Sequence, residues 1–410
     1  MDARLHTAHH PAMTERRVGL IGAALVAIGP ISLALFTPAM PSVVTDLQTT
    51  EAMVKMTLSL YFAGFAFAQL ICGPLSDAVG RKPIILAFMG LYCLATIVAI
   101  FAPSIEWLIA ARFVQGVGGA AGVAISRAMV RDLFTKESSA RIMNLIGTML
   151  GVGPAIAPTL GGITMEFFGW HATFILMLIL GIAVISIVYL CQVETVTRDM
   201  SRLQPRKLIS SYAFLLRQRY FLFSSLIIAG STGALYTQAT LLSFIMMNRV
   251  GLSPTQFGFA MLMQSGFFVA GTLSVRLLMG RVSAQRLVPV GLTAIIVASI
   301  SLAALLRTLE PGFFTVMVPV GIYAYGIAFV MPAMLTASMA GFPHMAGTAS
   351  ALTGFIQMAA GLVGGTAAAL MGDTVLGLAT IVPLMGLGAV TSWLFWRQLP
   401  EPALANAVRN

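Results

Sequence analysis

Charge is scarce in this sequence. Only 9% of its 410 residues are Asp, Glu, Lys or Arg, against roughly 25% in an ordinary soluble domain, too few to cover a water-facing surface. Cysteine is scarcer still. Cys72, Cys93 and Cys191 form an odd, scattered set without a CxxC, which excludes a disulfide framework and gives no zinc spacing. The five histidines are equally dispersed, with His6, His9 and His10 in a short N-terminal tail. No GxxxxGKS or GxxxxGKT occurs, and the longest hydrophilic stretch, Cys191 to Arg219, is too short for a nucleotide-binding domain. ATP is thereby excluded as an energy source. "GVGGAA", Gly116 to Ala121, matches a dinucleotide fingerprint in letters only, because it lies in an apolar run with no strand before it and no acid after it. With no metal cluster, nucleophile–base pair or buried carboxylate pair, the chain does not read as an enzyme.

Apolar sequence is abundant. Hydrophobic residues make up 58% of the chain and recur in runs of about 20, the length that crosses a bilayer core. In lipid the backbone must satisfy its own hydrogen bonds, so these runs must be helices, and neighbouring helices can rescue those that contain proline. Twelve spans are expected: 18–40, 53–74, 83–102, 106–127, 142–164, 171–190, 220–247, 254–279, 287–306, 313–340, 345–371 and 374–396. The first follows Arg16 and Arg17 as a signal peptide would, but it is too long for a signal h-region and is read as a retained helix.

The basic residues set the orientation. With the N-terminus in the cytoplasm, 20 of the 24 Lys and Arg fall in cytoplasmic segments or at cytoplasmic helix ends; Lys55, Arg249 and Arg307 fall outside and Arg112 lies within a span. This is the positive-inside bias, so the net charge of +10 reflects topology and anionic lipid rather than nucleic acid. Trp107 and Trp170 fall near the outer interface, Trp393 and Trp396 near the inner one. The expected organisation is a cytoplasmic tail (1–17), a six-helix bundle (18–190), a basic, partly amphipathic connector on the inner leaflet (191–219), a second six-helix bundle (220–396) and a cytoplasmic tail (397–410).

"LGVGPAIAPTLGG", Leu150 to Gly162, would be a broken helix in water. Its span echoes the eleventh: Asn144-Leu-Ile-Gly147 followed by Gly161-Gly162, against Ala351-Leu-Thr-Gly354 followed by Gly364-Gly365. Repeats with small-residue helices at matching positions mark secondary transporters, in which one half moves against the other. Glycines permit close backbone approach and prolines kink.

Further motifs are "GPLSDAVGRKP" (Gly73 to Pro83), "RFVQGVGGAAG" from Arg112, "SRAMVRDLF" (Ser126 to Phe134) and "GTASALTGF" (Gly347 to Phe355). In order, and over essentially the whole chain, they closely resemble the major facilitator superfamily. The last two resemble its bicyclomycin/chloramphenicol-resistance (Bcr/CflA) subfamily of drug:proton antiporters. The resemblance implies an all-α polytopic membrane protein of the inner membrane, with 12 transmembrane helices in two six-helix bundles and both termini cytoplasmic. It also implies efflux of small lipophilic compounds by alternating access in exchange for protons. Conformational gating is expected from Gly73, Asp77, Gly80, Arg81, Lys82, Gly147, Gly151, Gly153, Pro154, Pro158, Gly161 and Gly162. No cofactor is expected beyond the proton gradient. The expected partners are a small-molecule substrate and the bilayer, with no nucleic acid or nucleotide, and the carrier is expected to be a monomer.

One departure is informative. "ALFTPAMP", Ala34 to Pro41, resembles the subfamily's first-helix motif, in which a membrane-embedded aspartate carries the proton; Ala34 stands in its place. Of the 14 acids, Asp2, Glu15, Asp77, Asp132, Glu137, Glu194, Asp199 and Glu401 are expected at the cytoplasmic side, and Asp46, Glu51, Glu106, Glu166, Glu310 and Asp373 at the outer side. None falls at mid-membrane. The alternative function is therefore a proton-independent facilitator or importer of a small neutral or anionic solute. Arg112 is the ionisable residue left in a span, where charge is costly and marks a pathway, and Gln115 follows on the same face. With Phe36, Tyr61, Tyr236, Gln238, Tyr323 and Gln357 they form the candidate substrate set, a mostly apolar pocket with a few polar groups.

Overall fold

A computed structural model describes residues 13–134, 136–400 and 402. The expected tail segments 1–12 and 403–410, with His6, His9 and His10, lie outside the described residues. Among the described residues every regular element is helical. In chain order they are α1 (Glu15–Phe36), α2 (Met40–Asp46), α3 (Glu51–Val79), α4 (Arg81–Ile100), α5 (Ile105–Leu133), α6 (Lys136–Phe168) and α7 (Trp170–Cys191). There follow α8 (Pro205–Arg217), α9 (Arg219–Phe244), α10 (Pro254–Leu278), α11 (Ala284–Thr308), α12 (Phe313–Ala340), α13 (Ala346–Leu370) and α14 (Thr374–Trp396). Eleven spans are long and apolar enough to cross a membrane, α1 and α2 counting as one; α6 is a further helix of 33 residues.

Several helices overrun the apolar runs. α3 extends to Val79, α5 to Leu133, and α6 begins at Lys136, because a helix ends where a cap or breaker stands rather than where hydropathy falls. The first span is interrupted instead. Pro38 opens a 3₁₀ turn, Thr37–Ala39, and the Thr37 hydroxyl donates to the Ala34 carbonyl at 2.9 Å before α2 resumes the path. Leu150 to Gly162, with both prolines, lies within continuous α6, as expected where neighbouring helices support a proline-containing span.

Antiparallel alternation of the long helices gives the molecule two ends. One carries Arg16, Arg17, Arg81, Lys82, Arg127, Arg286 and Arg397 and is termed the basic end; the other, with Asp46, Glu51, Glu166, Glu310 and Asp373, is the acidic end. Two large apolar cores form. One draws on α1 to α7, with Phe244, the other on α9 to α14. Large apolar side chains also point outward: Phe101 is 77% exposed, Leu277 80% and Leu370 82%. Lipid, not water, is the solvent that accommodates such a perimeter. The connector forms α8, whose Leu215 packs with Phe221, Phe342, Ala349 and Leu352. Trp170 is not an exposed interfacial anchor: it is buried, and its indole donates to Asp46 at 2.8 Å.

Candidate functional site

Glycines set the closest helix contacts, and they do so symmetrically. A Cβ on Gly161 would fall on the Leu35 carbonyl of α1, and one on Gly162 on the Pro254 carbonyl of α10. In α13, a Cβ on Gly364 would meet Thr237 of α9, and one on Gly365 would meet Ser59 of α3. In each Gly-Gly pair the first residue packs within its own half and the second against the opposite half. Pro158 and Thr159 join the cross-half contact: the Thr159 hydroxyl donates to the Gly258 carbonyl at 3.0 Å. Gly153 packs on Ile31 of α1. Gly147, Gly151 and Pro154 lie on α6, but their surroundings fall outside the described residues.

The glycines of "RFVQGVGGAAG" face other helices: Gly116 meets Tyr61, Gly118 meets Tyr92 and Gly122 meets Leu25. They allow α5 to sit against α3, α4 and α1. No strand or phosphate cradle is involved.

At the basic end, Gly80 alone separates α3 from α4. Its φ of +120° suits glycine, and a Cβ there would meet Glu194. Asp77 pairs with Arg81 at 2.5 Å. Arg81 also reaches Asp132 at 3.0 Å and the Ser76 hydroxyl at 2.6 Å. The helix N-terminus is capped by Glu194, not by Asp77: it accepts from the Arg81 and Lys82 backbone amides at 2.9 and 3.0 Å. Lys82 donates to the Tyr189 carbonyl. This network joins α3, α4, α5 and α7 of the first half to the start of the connector. A Cβ on Gly73 would meet open space. Glu194 was not singled out in the sequence, where it is one acid in a basic connector; Asp132 was visible only as part of "SRAMVRDLF".

Contacts between the halves lie elsewhere. At the basic end the Arg127 guanidinium donates to the Ser350 hydroxyl at 2.8 Å, and the Tyr212 hydroxyl of α8 donates to the Leu70 carbonyl at 2.8 Å. Burial pushes the Tyr212 phenol up to about 12, so it remains a donor at neutral pH. At the acidic end Glu51 accepts from Thr374 at 2.7 Å, from Asn248 at 3.2 Å and from Lys55 at 3.2 Å. Glu166 accepts from the Ser253 hydroxyl at 2.8 Å and the Thr255 amide at 2.9 Å, beside the N-terminus of α10. A carboxylate at that position meets unpaired N–H groups and the positive end of the helix dipole.

The candidate substrate residues divide into three places rather than one pocket. Phe36, Tyr61, Arg112 and Gln115 lie in the first half's core. Arg112 is fully buried. It donates to the Gln115 side-chain amide oxygen, while the Gln115 amide donates to the Thr96 hydroxyl at 2.8 Å. The guanidinium carbon lies 4.4 Å from the Tyr61 ring centre, 5.0 Å from Phe36 and 5.9 Å from Phe174, and its Nε and Nη2 meet no acceptor. Ring faces thus replace a counter-ion, each contributing up to about 2 kcal/mol when desolvated. Gln238 and Tyr323 lie in the second half's core, where Gln264 donates to Gln238 at 3.1 Å and Tyr323 to the Gly230 carbonyl at 3.2 Å. Tyr236 and Gln357 sit between the halves: Gln357 donates to the Tyr236 hydroxyl at 3.1 Å, and the Tyr236 ring is 5.1 Å from Phe62 of α3. Asp46, Glu51 and Glu166 sit at helix ends. Ala34 is buried in the first core.

Cross-half glycine contacts, separate cores and an apolar perimeter define a membrane transporter built of two opposed helical halves. Residues 21–365 match the Major Facilitator Superfamily, and the chain belongs to it. It is 30% identical to multidrug resistance protein D of Escherichia coli (strain K12), covering 90% of this chain and 93% of that protein. It is 29% identical to the bicyclomycin resistance protein homolog of Haemophilus influenzae, covering 83% and 86%. In fold it is similar to the crystal structure of a D-xylose-proton symporter, with a TM-score of 0.73 at 12% identity over 95% of this chain and 99% of the other. Within the superfamily it is a Bcr/CflA-like transporter, a multi-pass inner-membrane protein.

Proposed function

We propose that this protein exports small lipophilic drugs or metabolites from the cytoplasm by alternating access, its two six-helix bundles rocking about the α3–α13 and α6–α10 contacts. The basic end faces the cytoplasm in this reading, and both termini lie there. The observation that carries it is the matched pair of Gly-Gly contacts: Gly162 sets its backbone against the Pro254 backbone of the opposite half and Gly365 against the small Ser59 side chain, the close, smooth surface two moving bodies need. The latches are few and polar. Glu51 and Glu166 hold the acidic end, and Arg127 and Tyr212 hold the basic end. The names of the relatives, multidrug resistance protein D and bicyclomycin resistance protein homolog, support drug efflux.

Substrate meets Tyr236, Gln357 and Phe62 between the halves, and the Arg112 charge sets a positive potential behind them. Exchange for protons remains part of the proposal; the alternative, a proton-independent facilitator or importer of a small neutral or anionic solute, is favoured by the absence of an acid at Ala34. Efflux of an amphenicol from a host lacking its own exporters, measured with and without a protonophore, tests both. Export that stops with the protonophore supports exchange. Downhill movement unaffected by it supports the facilitator.

A further inference from the structure

The two halves treat their basic ends differently. In the first half Arg81 is matched by Asp77 and Asp132. From residue 220 onward the acids are Glu310 and Asp373, both at the acidic end, and Glu401, which lies outside the described residues. Arg286 at the start of α11 and Arg397 just past α14 meet no carboxylate among the described residues.

Between them lies a recess of ≈ 390 Å³ lined by Tyr220, Gln285, Arg286, Trp393, Trp396 and Arg397, among others. Trp396 is 8% exposed, and its indole Nε1 is buried with no hydrogen-bond partner. A buried indole N–H without an acceptor is costly. The Tyr220 and Trp396 rings pack 5.2 Å apart, and the Arg397 guanidinium lies 5.1 Å from the Trp393 ring centre, so the two tryptophans and the arginine have defined positions. The recess offers donors almost throughout: two guanidinium forks, an indole N–H and the Gln285 amide. A ligand that satisfies them must be anionic and rich in acceptor oxygens, which a phosphate group is. Leu394 and Phe395, 44% and 58% exposed, adjoin it on the outward face, and Phe395 stacks on Phe223 with ring centres 5.4 Å apart. An acyl chain can run along that apolar strip while a headgroup occupies the recess. Tryptophan and tyrosine at one helix end also mark headgroup depth.

We propose that this recess binds the phosphodiester headgroup of an anionic phospholipid, whose charge supplies a counter-ion for Arg286 and Arg397, which meet no carboxylate among the described residues. Assignment to the inner leaflet rests on the orientation proposed above; binding itself does not. A phosphate bridging Arg286 of α11 and Arg397 of α14 ties these helices together at their cytoplasmic ends. Basic pockets between transmembrane helices on that side suit such headgroups.

The test uses the full chain in a neutral detergent, titrated at fixed ionic strength with dioctanoyl-phosphatidylglycerol, dioctanoyl-phosphatidylcholine or inorganic phosphate. The readouts are melting temperature and tryptophan fluorescence, since two of the four tryptophans line the recess. Phosphatidylglycerol should give a saturable change in both. In Arg286→Gln/Arg397→Gln its affinity should fall roughly 25-fold, about fivefold per basic contact, and Trp396→Phe, which keeps the ring and loses the N–H, should weaken it a further few-fold on its own. Phosphatidylcholine should have little effect. No response of the wild type to phosphatidylglycerol, or an equal response in the variants, overturns the proposal. Saturation by inorganic phosphate at equal or lower concentration overturns the lipid assignment in favour of a soluble phosphate. If the double variant does not fold, Trp396→Phe alone decides between the same outcomes.

Discussion

The first half of the chain neutralises its own turn at the basic end; among the described residues the second half does not. At the α3–α4 junction Gly80, Asp77, Arg81, Asp132 and Glu194 form one connected set, whereas Arg281, Arg286 and Arg397 in the second half meet no carboxylate among the described residues, Glu401 lying outside them. The helix packing is nevertheless symmetric, as Gly161-Gly162 and Gly364-Gly365 demonstrate. Packing follows backbone geometry, which both halves share. Charge compensation can be supplied by the chain or by its surroundings, so the two halves have been free to differ in it.

The largest effects should come from breaking the packing symmetry. Gly162→Leu and Gly365→Leu place a branched side chain against the opposite half, on the Pro254 backbone and the Ser59 side chain respectively, and should reduce transport more than tenfold while much of the protein still folds. Gly161→Leu and Gly364→Leu force the same side chain inside one half and should instead lower the yield of folded protein, as overpacking commonly costs about 1–3 kcal/mol. Transport assays set against detergent-extracted yield check all four. Normal transport in Gly162→Leu would remove the α6–α10 contact from the mechanism.

Charge selectivity comes next. Arg112 is buried in the first core, while the second core holds the neutral Gln238–Gln264 pair. With no carboxylate at mid-span, a permanent cation meets no counter-charge and faces Arg112 through a low dielectric. Neutral, zwitterionic or anionic compounds should therefore be carried at least about tenfold better than tetraphenylphosphonium, a difference of roughly 1.4 kcal/mol. Ala34→Asp should narrow that gap and strengthen dependence on the proton gradient, and Gln264→Leu should leave it unchanged. Efficient export of tetraphenylphosphonium by the wild type would sink the argument.

The turn itself gives a direct contrast between halves. Glu194→Gln leaves two helix N-terminal amides with a weaker acceptor beside Arg81, and hydrogen bonds to charged groups are worth about 1.5–3 kcal/mol. A drop in melting temperature and a several-fold loss of transport are expected, with Asp77→Asn losing transport more than folded protein. Arg281→Gln in the second half should stay within about 0.5 kcal/mol of wild type.

Much of the fold was legible because lipid enforces one rule on every span: apolar outside, backbone satisfied within. The span limits agree to within a few residues except where Pro38 interrupts the first span, where α3 and α5 run on to Val79 and Leu133, and where α6 begins early at Lys136. Small-residue pairs signalled close contact but not which neighbour each glycine meets. The candidate substrate set was less legible. Tyr61, Tyr236 and Tyr323 all look alike as polar aromatics in apolar runs, yet each points to a different place because a shift of one residue turns a side chain by 100° around the helix. Glu194 and Glu166 were hidden for another reason: their partners are backbone amides far away in sequence, which no local motif encodes.

The smallest effect expected concerns the acidic end, where the halves again differ. Both latching carboxylates, Glu51 and Glu166, belong to the first half; Thr374, Asn248, Ser253 and Thr255, which they hold, are neutral and belong to the second. Glutamine in place of glutamate keeps an acceptor oxygen and loses the charge, so each latch weakens without being abolished. A charge at a helix N-terminus contributes roughly 0.3–1 kcal/mol, so Glu166→Gln should shift the balance toward opening at the acidic end by no more than about fivefold. Labelling of a cysteine placed at Thr159, between the halves, in a background with the native cysteines replaced, reads that balance directly. Glu51→Gln shares no partner with Glu166, and the two changes should add within about 0.5 kcal/mol. A double variant that opens far more than the sum would mean the latches act as one, held together by the rigidity of the second half rather than each gripping it separately.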